Sequence, residues 1–147
     1  MENYKHILLA VDFFENDAAV SSRAKDLADR YQAALSIIHV VDSMPITNTD
    51  YGLDLPFNLD LAAELTAAAS DKLAKLAKQL QVSEDKTWLE MGSPKQEIIR
   101  VATENNVDLI VLGSHGRHGL ALLLGSTANA VLHHAKCDVL AVRLTDE

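Results

Sequence analysis

The sequence predicts an α/β fold of three layers, with a five-stranded, mainly parallel sheet and helices on both faces. Two observations lead there. Apolar runs of strand length alternate with stretches of helical period along the whole chain. Those runs are continuous rather than alternating, which is how strands covered on both faces read. A length of 147 residues fits one domain, taken as residues 1–147, and is enough to bury a sizeable core.

The elements follow in order. Residues 6–11 (HILLAV) form a buried strand. Asn16 is positioned to cap a helix in which Ala18, Ala19, Val20, Ala24, Leu27 and Ala28 recur at helical spacing up to about Tyr31. Residues 35–41 (LSIIHVV) are a second strand. Residues 42–57, rich in Asp, Asn, Thr and Pro, have no period and read as a long loop. Asn58 then precedes one long amphipathic helix marked by Leu61, Leu65, Ala69, Leu73, Leu76 and Leu80. Residues 86–91 are a less apolar strand, nearer a sheet edge. Ser93, Pro94 and Gln96 predict a helix start with a capping box, and Asn105-Asn106 a stop. Residues 108–113 (DLIVLG) are a buried strand, 114–124 a glycine-containing loop, 126–135 a helix and 138–144 (DVLAVRL) the last strand.

Composition excludes several classes. Hydrophobic residues make up 48% with no low-complexity tract, so the chain is not disordered. A formal net charge of -8 argues against sequence-independent nucleic-acid binding. Cys137 is the only cysteine, so no disulfide forms within the chain, and a reducing, cytoplasmic location is expected. No segment is long and apolar enough to insert in a membrane, and the N-terminal run lacks a signal-peptide cleavage site.

In an open parallel sheet, ligands bind beyond the C-terminal ends of the strands. The segment from Gly113 to Thr127 lies after such a strand and leads into a helix. It holds four of the six glycines: Gly113, Gly116, Gly119 and Gly125. Glycine lets backbone N–H groups approach a phosphate, and a helix beginning at Ser126 adds free N–H groups and a positive dipole end. Ser126 and Thr127 supply hydroxyls, and Arg117, His115 and His118 supply local positive charge. The segment reads two ways, as a phosphate cradle or as a tight connection. It is neither a Walker loop nor a GxGxxG fingerprint.

Asp12, at the end of the first strand, reads as an acceptor for ribose hydroxyls or as a loop cap. A phosphoacceptor role is rejected, because the third strand ends in Met91-Gly92 and no lysine follows the fifth. The HxxH of His115 and His118 has no adjacent cysteine or acid to complete a metal set, so no metal ligand is assigned. His39 reads as a satisfied structural histidine and Cys137 as an unreactive apolar residue. No catalytic residue is assigned, since no Ser-His-Asp arrangement is legible.

In order along the chain, the set Tyr4 to Asp12, Ile38-His39-Val40-Val41, Gly92-Ser93-Pro94 with Ile98-Ile99, Asp108 to Gly116, Leu124-Gly125-Ser126 and Cys137 to Val142 resembles the universal stress protein family. The resemblance covers nearly the whole length. It implies a Rossmann-like fold of the adenine nucleotide alpha hydrolase-like kind, and a homodimer formed through the last strand. Nucleotide-binding members carry G-x2-G-x9-G-[ST]. Carried over, the cofactor-binding roles fall to Ala10, Val11, Asp12, Val40, Gly92, Gly113, Gly116, Gly125 and Ser126, with Asn129 a further candidate. Here eight residues separate Gly116 from Gly125, so the loop is one residue short. A subgroup typified by universal stress protein A lacks these glycines; this chain keeps all three and the serine. The expectation is therefore a stress-response module that binds ATP, or AMP or ADP, with Mg²⁺ or Mn²⁺ held through the phosphates as an option. Unidentified protein partners would read the bound state. The alternatives are a slow ATP hydrolase and an interaction protein that binds no nucleotide.

Overall fold

The computed structural model describes residues 3–13, 17–42, 59–114 and 125–143. The strands are β1 (His6–Ala10), β2 (Ala34–Asp42), β3 (Thr87–Gly92), β4 (Leu109–Gly113) and β5 (Asp138–Val142). The helices are α1 (Asp17–Tyr31), α2 (Leu59–Leu80), α3 (Pro94–Glu104) and α4 (Ser126–His134). A 3-10 turn at Glu84–Lys86, not expected from the sequence, leads into β3. The sheet order is β3-β2-β1-β4-β5 and all four pairings are parallel.

The layers follow from alternation along the strands. Ile7, Leu9 and Val11 point to one face and meet Val20, Ala24 and Ala28 of α1 and Leu73, Ala77 and Leu80 of α2. Leu8 and Ile38 point to the other and meet Ile98, Val101 and Ala102 of α3 and Ala128 and Val131 of α4. Residues 7–9 have no solvent exposure, so β1 needs cover on both sides. Connections on the α1/α2 face step from β1 to β2 to β3; those on the α3/α4 face return from β3 to β4 and on to β5. Reversing the direction of a right-handed crossover puts its helix on the opposite face.

The amino ends of the strands are closed by polar contacts. Asp108 accepts from the Lys5 and His6 N–H groups at 2.9 and 3.0 Å. The His6 Nδ1–H donates to the Asn105 carbonyl at 3.1 Å, which leaves Nε2 to accept from the buried Ser36 hydroxyl at 2.6 Å. Tyr4 donates its hydroxyl to Asp138 Oδ2 at 2.7 Å and packs edge-on against Tyr31.

Three helices stop in one way. Gln32, Gln81 and Asn106 take positive φ, and the N–H of the following residue bonds back to Ala28, Ala77 and Ala102. This is the Schellman closure. Its apolar member is Ala33, Val82 or Val107. Asn106 matches the expected stop, whereas the two glutamines carry no such signal. At the start of α3, Ser93 is the cap residue and Pro94 the first helical residue, but the capping box makes no side-chain bond. Lys95 and Gln96 are exposed there, so water can satisfy the first turn. At the β3–α3 junction Gly92 has φ +142°, a backbone conformation that other residues rarely adopt. A Cβ there would have room, its nearest neighbour being Glu97 Cγ at 3.6 Å.

Three predictions follow from these contacts. Gly92→Ala should cost about 1–2 kcal/mol in urea unfolding, through backbone strain alone. Gln81→Gly should stabilise by about 0.5–1 kcal/mol in the same assay, because glycine takes the left-handed position without the Cβ penalty. The hydrogen bond to Asp138, with burial and that carboxylate's charge, raises the Tyr4 hydroxyl from its ordinary 10.0 to about 12. A raised phenol stabilises the fold below pH 10 and loses that contribution as pH climbs towards 12. Tyr4→Phe should thus cost about 1 kcal/mol at pH 7, and the gap to wild type should close over that alkaline window.

Candidate functional site

The chain reverses direction between β1 and β4, the two strands whose connections depart to opposite sides. A crevice forms at such a switch point, beyond the carboxyl ends of the strands. Three pieces of chain meet there. Val11-Asp12-Phe13 leaves β1, Gly113-Ser114 leaves β4, and Gly125 opens α4. The Gly125 N–H donates to the Ser114 carbonyl at 2.8 Å, holding the end of β4 against the start of α4. Ser114 in turn donates its N–H to the Val142 carbonyl at 2.8 Å, extending the β4–β5 ladder.

Gly125 caps α4 with φ −62° and ψ 157° and offers no side chain to the helix. The first intrahelical bond runs from the Asn129 N–H to the Gly125 carbonyl at 2.9 Å. The N–H groups of Ser126, Thr127 and Ala128 therefore have no acceptor within the helix, and its positive dipole end faces the crevice. Ser126 and Asn129 are exposed, and Ala128 is buried beneath them.

The other candidate residues divide by face. Ala10 and Val40 lie on the α3/α4 side, Val40 buried and Ala10 partly so. Val11 turns its side chain into the α1/α2 core, donates its N–H to Ile38 and accepts at its carbonyl from His39. Asp12 is exposed at the end of β1. Gly92 sits on the flank, two strands from β1, and the backbone alone accounts for its glycine. Gly116, His115, Arg117 and His118 lie outside the described residues, as do Asn16, Asn58 and 43–57 of the long loop.

Sequence reasoning missed a group beneath Asp12. Phe13 has φ +62° and its ring centroid lies 4.6 Å from that of His39. Lys72 of α2 holds its ammonium 5.9 Å from the Phe13 centroid. His39 is the satisfied histidine expected, its Nδ1–H donating to the Val11 carbonyl at 2.8 Å. Phe13 carried a signal in its place directly after the strand-ending acid, but its partners are distant in sequence.

Elsewhere, Cys137 is half-buried near the amino edge of the sheet, and burial pushes its thiol up, which keeps it protonated. Among the described residues no three His, Cys, Asp or Glu side chains gather to hold a metal. No helix among them is long and apolar enough to cross a membrane.

The geometry can be set against known proteins. The model of the universal stress protein family matches residues 3–143. Universal stress protein A homolog 2 of Coxiella burnetii is 43% identical over 145 residues, covering 98% of each chain. The solved structure of hypothetical protein MJ0577, from a structure-based assignment of its biochemical function, is 28% identical. It superposes with a TM-score of 0.82, over 99% of this chain and all of that one. A universal stress protein solved in complex with cAMP shares the fold at 23% identity and a TM-score of 0.65, covering 96% of this chain and 98% of its own. With a family match over nearly its whole length and a relative at that identity, this chain belongs to the universal stress protein family.

Proposed function

We propose that this universal stress protein is a regulatory module that binds an adenine nucleotide at the carboxyl edge of its sheet. The observation that carries the reading is the meeting of Asp12, Gly113-Ser114 and the first turn of α4 at the switch point. Asp12 would accept from the ribose, and the N–H groups that the helix itself leaves unpaired would meet a phosphate at the same crevice. Gly125 adds a chemical argument. Its φ and ψ are open to any residue, so the backbone does not demand glycine there. Close approach of a ligand to the helix start supplies a reason. The cAMP complex of a related fold is a precedent for an adenine nucleotide in this architecture.

Ala10 and Val40 would border the base, Asp12 the ribose, and Gly113, Gly116, Gly125 and Ser126 the phosphates. Val11 would contribute backbone only, and Gly92 the far flank. A divalent cation would be held through the phosphates. The module would act as a homodimer through β5, an edge strand whose residues 139–142 are only partly covered in one chain. Nucleotide occupancy would alter that dimer, or its contacts with partner proteins, through different affinity for two states.

Thermal unfolding with AMP, ADP, ATP and cAMP, each with and without Mg²⁺, tests the reading. A nucleotide at a hundred times its dissociation constant should add about 2.7 kcal/mol of stability. That corresponds to a rise of roughly 5–10 °C in a domain of this size. Gly116→Val and Asp12→Ala should remove the rise while leaving the ligand-free midpoint close to wild type. Absence of any shift at millimolar nucleotide would sink the assignment.

A further inference from the structure

We infer that His39 is a positioning residue that clamps the turn carrying Asp12 from the face of the sheet opposite Ala10 and Val40. The inference rests on the nucleotide reading for its ligand, but the clamp itself is visible without one.

Leu35 and Ile37 face the α1/α2 core, and alternation along β2 sends His39 the same way. From there its imidazole reaches sideways to β1. The acceptor at Nδ1 is a carbonyl, so Nδ1 carries the hydrogen and the tautomer is set. The N–H of Val11 is held by the neighbouring residue of the same strand, Ile38, at 3.0 Å. Both polar groups of Val11 are thus tied to β2, one through backbone and one through the His39 ring.

On the far side of Asp12 stands Phe13. Among the described residues it is one of four non-glycine positions with positive φ. The other three close helix ends, where two backbone hydrogen bonds hold the strained residue in place. Phe13 closes no helix. Among the described residues its side chain holds it, packed on the His39 ring and the α1/α2 core, with the Lys72 ammonium near its centroid. One imidazole therefore holds both neighbours of Asp12, the carbonyl before it and the aromatic ring after it. Strain of this kind persists only where the surroundings over-determine it, and it sits here beside the proposed ribose contact.

Without the imidazole, the Val11 carbonyl loses its donor and Phe13 loses its platform. The turn relaxes, and the Asp12 carboxylate no longer has a fixed direction. His39→Asn keeps an N–H donor at similar reach and should restore the bond to Val11, but it gives Phe13 no ring to pack on, so it should repair the turn in part.

The experiment has two arms, run on wild type, His39→Ala and His39→Asn. In ligand-free protein, NMR backbone shifts of Phe13 report its left-handed φ; they should move in His39→Ala and return towards wild type in His39→Asn. By calorimetry, wild type should bind ATP about tenfold more tightly than 2′,3′-dideoxy-ATP, as a carboxylate hydrogen bond to ribose requires. His39→Ala should lose about that factor for ATP, bind the dideoxy analogue as wild type does, and so lose the preference; His39→Asn, which regains the donor but not the ring, should recover only part of it. If His39→Ala does not fold, Phe13→Ala, which removes the ring from the same clamp, should show the same pattern. Unmoved Phe13 shifts in folded His39→Ala overturn the clamp. Ribose preference surviving there, in a protein whose wild type binds ATP, overturns the positioning role alone. A wild type that binds no adenine nucleotide overturns the nucleotide reading and the positioning role together.

Discussion

Ile7, Leu8 and Leu9 have no exposure to solvent, and the architecture depends on that burial. Three successive strand residues cannot all be hidden by one layer, because their side chains alternate between faces. Both faces must be covered, and parallel neighbours require crossovers long enough to hold a helix. Helices on two faces then oblige the chain to leave β1 in one direction and return for β4 in the other. The crevice between β1 and β4 is therefore a by-product of burying the central strand. The nucleotide site proposed above would use a gap that packing had already created.

The two ends of the sheet are treated differently by the chain's own polar groups. At the amino end, Asp108, His6, Ser36 and Asn105 bond to one another or to nearby backbone, Tyr4 bonds to Asp138, and the elements are tied shut. At the carboxyl end, α4 starts on a glycine that contributes no capping side chain. An unmet set of N–H groups at a helix start is tolerable only where solvent or a ligand reaches it.

The sequence made this division partly legible. β1 and β4 read clearly because a strand hidden on both faces is a continuous apolar run, and β3 read as an edge because Thr87, Glu90 and Met91 dilute its pattern. Asp12 at the end of β1 and Gly125 at the start of α4 stand where local signals put them. The ends of α1 and α2 were not legible, since Gln32 and Gln81 occupy positions where glycine is the usual mark. Nor was the 3-10 turn before β3, whose residues Glu84–Lys86 carry no period. The group beneath Asp12 was hidden for a different reason. Phe13, His39 and Lys72 come from three separate elements, and only parallel register with helix docking brings them together.

That last case bears on how the site gains its shape. A left-handed residue at a helix end is compensated by backbone hydrogen bonds that any sequence can form. At Phe13, among the described residues, side chains pack on the strained position: a ring against a ring, with a cation near its centroid. Side-chain compensation depends on residue identity, so it can be lost or tuned by a single substitution without changing the fold. It also lies on the α1/α2 face, while Ala10 and Val40 lie on the other. The backbone on either side of Asp12 is thus held from behind the sheet, by residues that need never touch a ligand. A carboxylate carried on a backbone held in this way has less conformational freedom to lose when a partner hydroxyl arrives, and preorganisation of that kind raises affinity by lowering the cost of binding.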